Sequence, residues 1–326
     1  MEREVKIFNL TGGKLSPEDT AQVIGTAHEC VAEYEKTTTE GLKGLSIEPW
    51  AEIRDLENEL AGHFEERNRN FGMPEALSWP RIFYIPTENV ARAQEIMSSR
   101  EKTRASASRL NESVALYLYP EMTNLEIARI LAHEMDHFFT HGSMRVEIRE
   151  GSDQVVSMYR EGGITLSPKG DFGRVLEEGS AENEAIRYFV ETLAPKFPDE
   201  FAKYLRDRTE FIQRNGVPPT FDENLIFYYF NSRLGARSLL INPYAAPVLL
   251  IRMLEEELPD GRNLVLKARV RGNYVPLAKA FDGRFGQGTF RTFMELQADQ
   301  PYKVSKFRAY LLENDPNEKE VLKSYL

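Results

Sequence analysis

TNLEIARILAHEMDHFFTHG, residues 123–142, decides the fold class, because it carries a complete helix signal around a metal-ligand spacing. Thr123 followed by Glu126 is a capping box, in which a threonine side chain and a glutamate three residues later satisfy each other's backbone N–H groups. Ile127, Ala128, Leu131, Met135 and Phe138 recur at helical spacing and give the helix an apolar face. Three of the chain's five histidines, His133, His137 and His141, lie four residues apart in this one stretch.

His133-Glu134-Met135-Asp136-His137 is HExxH. Residues i and i+4 share one helical face, so two imidazoles there can grip one zinc ion. Glu134 follows the first ligand and projects beside the metal, where it can act as general base. Chance HExxH matches in a chain of this composition number about 0.01, which makes the motif specific. His141 lies roughly 12 Å along the helix from His133, too far to share the ion on a continuous helix. It is expected to cap the helix C-terminus, with Gly142 closing the helix. A third ligand must come from elsewhere.

It is expected in GRVLEEGSAENEAIRYFVETL, residues 173–193. Val175, Ile186, Phe189 and Leu193 mark the apolar face of a helix, and Glu178 and Glu182 fall on that same face. Carboxylates on an apolar face require partners. Glu178 is the candidate third zinc ligand. Glu182 is the candidate acceptor that fixes the tautomer of a ligand histidine. Glu177 falls nearer the polar side and is the weaker ligand candidate. Gly179, Ser180 and Ala181 would let another helix approach closely.

Outward from these segments the chain reads as α+β. Strands are expected in EVKIFNL, in RIFYIP (81–86) and in SVALYLYP (113–120). Helices are expected near 16–36, broken by TTTEGLKG, and near 49–70, 173–194, 197–214, 221–235, 243–257, 261–270, 274–282, 287–296 and 302–313. The Pro/Gly-rich FGMPEALSWP (71–80) is the candidate boundary between an N-terminal, mainly helical region of unknown role (1–75) and a second domain (76–326). That domain divides into a small mixed sheet with the HExxH helix (76–142), a loop-rich lid (143–172) and a helical subdomain (173–326).

Net charge is −10, with no basic footprint for nucleic acid or anionic lipid. The start, MEREVKIFNL, is too charged for a secretory h-region. No apolar run approaches the roughly 18 residues of a membrane span. A cytoplasmic protein is expected, although leaderless export would leave no mark. The single cysteine, Cys30, forms no internal disulfide and is expected in the core. Trp50 and Trp79 are expected at core or subdomain contacts.

HEMDH and LEEGSAE together resemble the gluzincin metallopeptidases, the thermolysin-like and zinc-aminopeptidase-like group. LEEGSAE is similar to the family's E-G-x-A-E helix, whose glutamate ligand matches Glu178 and whose next acidic residue matches Glu182. NPYAAPVLLIRMLEEELPDGRNLVLKARV (242–270) resembles the family segment in which a tyrosine opens a helix and donates to the tetrahedral oxyanion. That tyrosine matches Tyr244; Tyr228 and Tyr229 are rivals for the role. Pro247 stands where the family usually has glycine. The step from His137 to Glu178 is longer than in aminopeptidases. The aminopeptidase G-x-M-E-N signature is absent, which points to endopeptidase action.

The resemblance thus implies a zincin-like domain, a Zn2+ cofactor held by His133, His137 and Glu178, and a peptide or protein substrate. Glu134 would be the base and Tyr244 the oxyanion donor. An extended substrate is expected to pair with SVALYLYP as an edge strand. Two other functions remain open: a catalytically silent zinc-binding regulatory protein, and a zinc hydrolase acting on a non-peptide bond.

Overall fold

A computed structural model describes residues 5–9, 16–72, 80–97, 105–108, 113–140, 142–148, 155–162, 172–231 and 236–312. Trp79 and His141 lie outside the described residues. The architecture is α+β, mainly helical with small sheets.

The HExxH segment forms α4 (Asn124–Phe138). Its N-terminus is fixed as the sequence dictates. Thr123 N–H donates to Glu126 Oε2 at 2.9 Å, and Glu126 N–H donates to Thr123 Oγ1 at 3.3 Å. Distant groups complete the cap. Leu125 N–H donates to Glu200, Arg237 pairs with Glu126, and Trp50 Nε1 donates to Asn124. The helix ends at Phe138 with Phe139 as its C-cap. Gly142 does not close it but opens a strand.

Three strands precede α4 and form one sheet. β2 (Arg81–Pro86) pairs parallel with β4 (Ser113–Leu118), and β3 (Ala105–Ser108) pairs antiparallel with β4 on its other side. SVALYLYP is therefore the central strand and not the edge. Its near-continuous apolar character reflects burial on both faces. Among the described residues the edge beside α4 is β3.

The stretch after α4, expected to be loop-rich, contains a hairpin. β5 (Gly142–Ile148) pairs antiparallel with β6 (Val155–Gly162), and the N-terminal β1 (Val5–Asn9) pairs parallel with β5. α1 (Pro17–Lys43) is capped by Ser16 and runs straight through the threonines taken for a breaker. Its Thr38 is buried and its Cys30 is exposed, not in the core. α2 (Ala51–Asn70) places Ile53, Leu56, Leu60 and Phe64 in one cluster with Leu131, Met135 and Phe139. The break at 71–80 thus divides the sequence and not the core. α3 (Val90–Ile96) packs on α1.

α5 (Arg174–Tyr188) lies between two cores. Its C-terminal half, with Ala185 and Ile186, joins the α2–α4 cluster; its start, with Val175 and Leu176, joins a second cluster. A π-helical turn (Phe189–Leu193) continues it into α6 (Ala194–Lys196), and α7 (Pro198–Asn215) follows. Residues 221–235, expected as a helix, instead supply β7 (Ile226–Asn231), which pairs with β8 (Ala236–Ile241). The aromatic, branched run IFYYFN suits a pleated surface better than a helix. α8 (Ala245–Glu257), α9 (Gly261–Arg271), α10 (Val275–Phe285), α11 (Thr289–Glu295) and α12 (Pro301–Leu311) surround the second cluster of Leu250, Leu254, Val265, Phe281 and Phe293. Among the described residues no helix is long and apolar enough to cross a membrane.

Candidate metal centre

α4 and α5 meet along their HExxH and EEGSAE segments. His133 Nε2 and His137 Nε2 lie 3.1 Å apart. Glu178 Oε2 lies 3.6 Å from the first and 3.4 Å from the second. Three donor atoms from His133, His137 and Glu178 therefore converge on one point. Donors held about 2.0–2.1 Å from a tetrahedral ion lie about 3.3–3.4 Å from one another, so this triangle fits such an ion.

The other ring nitrogens also face carboxylates. His133 Nδ1 is 2.8 Å from Glu182 Oε2, and His137 Nδ1 is 3.0 Å from Glu177 Oε1. A carboxylate at Nδ1 holds the proton there and leaves the Nε2 lone pair facing its neighbour. Two ring nitrogens and a carboxylate oxygen then face each other. Burial by itself would raise the Glu178 carboxyl. The imidazoles of His137 and His133, with Arg174, instead hold it well below the usual carboxylate range. Burial likewise disfavours a charged His133, yet Glu178, Glu182 and Glu134 lift its pKa to about 10. The surrounding carboxylates favour positive charge between the rings.

Each supporting carboxylate is itself anchored. Glu182 pairs with Arg129, whose guanidinium lies over the Phe227 ring, and it also accepts from Asn242 Nδ2. Glu177 accepts from Arg269 Nε and Nη2, both at 3.2 Å, and from Thr140 Oγ1 at 3.3 Å. It is 6% exposed, so it is not a solvated residue on a polar side. Arg269 also reaches Asp136 Oδ2 at 2.6 Å, and Asp136 pairs on its other oxygen with Arg67 of α2. Burial would raise the Asp136 carboxyl, but Arg269 and Arg67 pull it down to about 2. Four buried carboxylates (Asp136, Glu177, Glu178, Glu182) thus face three buried guanidiniums (Arg67, Arg129, Arg269). The carboxylate with no buried guanidinium among these pairings is Glu178.

Tyr244 is the N-cap residue of α8. Its ring stacks on that of His133, with centroids 5.8 Å apart and planes 11° from parallel. The charge on Glu178, and then burial, push its hydroxyl pKa up, so the group keeps its proton at neutral pH and can donate. Asn242 holds the approach: its Oδ1 accepts from Tyr244 N–H at 2.8 Å while its Nδ2 donates to Glu182. Close packing brings α8 to this place. A Cβ on Gly179 would lie 2.9 Å from the Pro247 carbonyl carbon and oxygen and 2.9 Å from Ile251 Cγ1. The rivals are placed differently. Tyr228 gives its hydroxyl to Asp207, and Tyr229 flanks Arg129. Glu134 is partly exposed and lies close enough to act electrostatically on both His133 and Tyr244.

Arg129, Asp136, Asn242 and Arg269 were not among the candidate residues. Their side-chain partners lie tens of residues away; a charge within an apolar pattern marks Arg129, Asp136 and Arg269, and nothing local marks the neutral Asn242. No protein-family model, curated protein or solved structure matches this chain.

Proposed function

We propose that this chain is a zinc-dependent metallopeptidase of gluzincin type, and that its α+β frame is zincin-like. The observation that carries the reading is the convergence of His133 Nε2, His137 Nε2 and Glu178 Oε2, with a carboxylate behind each imidazole. His133, His137 and Glu178 would hold the ion. Zinc bound there supplies Lewis acidity, which polarises a carbonyl and acidifies a water.

The chain's own groups do the rest. Glu134 carboxylate takes the proton of the attacking water and passes it to the leaving nitrogen. Tyr244 hydroxyl, kept protonated, donates to the oxygen that becomes negative as the carbonyl turns tetrahedral. Glu182 and Glu177 keep the Nδ1 protons in place, so that neither ring can rotate away. An extended peptide would add beside β3, whose ladder among the described residues runs only to β4.

The test combines metal analysis with cleavage of an unbiased peptide library. One zinc per chain is expected, lost in His133→Ala and His137→Ala. Glu134→Gln should keep the metal while hydrolysis falls at least ~10²-fold, the size of a missing general base. A chain that takes up no transition metal from zinc-supplemented medium overturns the reading. Metal binding with undiminished hydrolysis in Glu134→Gln removes the catalytic assignment.

A further inference from the structure

Arg174 opens α5 one turn before Glu178. Its Nη2 lies 3.4 Å from Glu178 Oε1, the oxygen turned away from the histidines, and its side chain is 46% exposed. Gly173 fixes it there. That residue has a φ of 81°, which favours glycine, and its N–H donates to Met294 O at 2.7 Å. A guanidinium carries five N–H donors, so one contact at 3.4 Å on a side chain that is 46% exposed leaves donors open to solvent.

The charges around the donor triangle bear on what those donors favour. Asp136, Glu177 and Glu182 are paired inside by Arg67, Arg269 and Arg129. Among the described residues, Glu134, Glu178 and Arg174 also lie around the donor triangle. A divalent ion bound by the triangle would offset the charge of Glu178, and Arg174, 46% exposed, is the cation beside Glu178 that faces solvent. Resting on the zinc reading above, we propose that Arg174 is a specificity-determining residue that binds a carboxylate of the substrate close to the scissile bond. That carboxylate is either an acidic side chain or a free C-terminus.

Hydroxamates chelate zinc without turnover and separate this inference from the peptidase reading. Succinic monohydroxamate carries a carboxylate; its succinamide analogue is neutral and nearly isosteric. Calorimetry on the zinc-loaded full chain should show the carboxylate probe binding about tenfold or more tighter, the usual size of a charge-assisted contact. Arg174→Gln should bring the two probes within about twofold, and Arg174→Glu should reverse the order, with zinc content unchanged in both. Equal affinities in the wild type, or a preference kept in Arg174→Gln, overturn the role of Arg174 and leave the zinc site standing. Binding of neither probe overturns the zinc reading and this inference with it. Cleavage of matched peptides, with glutamate or glutamine beside the scissile bond and with a free or amidated C-terminus, then tells which carboxylate is read. Equal rates for all four overturn the inference.

Discussion

Gly179→Ala tests whether the approach of α8 to α5 sets the geometry of Tyr244. The new Cβ would meet the Pro247 carbonyl carbon and oxygen and Ile251 Cγ1, all at 2.9 Å. Ordinary contact begins at 3.4 Å, so α8 must retreat by 0.5 Å, the difference of these two distances. Backbone carbonyl atoms cannot rotate aside as a side-chain tip can. Overpacking of this kind costs about 1–3 kcal/mol. Tyr244 lies three residues before Pro247 and moves with the helix, away from its stack on His133. A misplacement of about 1 Å in a catalytic group can cost about 10²-fold in rate, so half of that predicts a loss of about tenfold. Gly62 supplies the control. It sits in α2 with nothing within 4 Å of an added Cβ. Gly62→Ala should therefore stabilise by up to ~1 kcal/mol, the helix propensity difference. Urea unfolding and peptide hydrolysis on both variants give the answer. If Gly179→Ala unfolds at the same urea concentration as Gly62→Ala, or hydrolyses peptides at the wild-type rate, close packing does not place Tyr244.

Glu177→Ala and Glu182→Ala should each weaken zinc affinity by about 10–100-fold, because each leaves one imidazole without its carboxylate. Competition with a chelator reads this, and wild-type affinity in both variants would show that the rings hold their orientation unaided. Glu178→Ala should exceed either loss, since it removes a donor atom; a smaller effect than Glu177→Ala would exchange their roles. Asp136→Ala should cost about 3–5 kcal/mol in chemical unfolding, because it leaves Arg67 and Arg269 buried without that carboxylate. A change below 1 kcal/mol would mean that the two guanidiniums find other acceptors.

The candidate donors are legible because the information is local. His133 and His137 share a face by spacing alone, and the Thr123–Glu126 box marks where their helix begins. Glu178 and Glu182 could be placed together by the same periodicity. Glu177 could not, because helical-face reasoning assumes one polar side, and α5 is buried all round from Val175 to Ile186. Its guanidinium partner Arg269 comes 92 residues later. Strand pairing has the same limit. Nothing within SVALYLYP tells that β2 and β3 cover both its edges, and β3 itself reads only ASAS, too short and polar to announce a strand. IFYYFN leans to a strand by composition, but its periodicity alone does not separate strand from helix, and its partner strand, ARSLLI, is not announced within it.

The bridge from Arg67 through Asp136 to Arg269 also sets an order of assembly during synthesis. The donor residues and Arg67 leave the ribosome well before Arg269 does. Until α9 emerges, Asp136 and Glu177 lack the guanidinium that the finished protein places between them. A nascent chain halted before residue 269 therefore cannot seal α4 against α5 without burying two carboxylates short of one cation, which is costly. Closure of the centre therefore waits for α9.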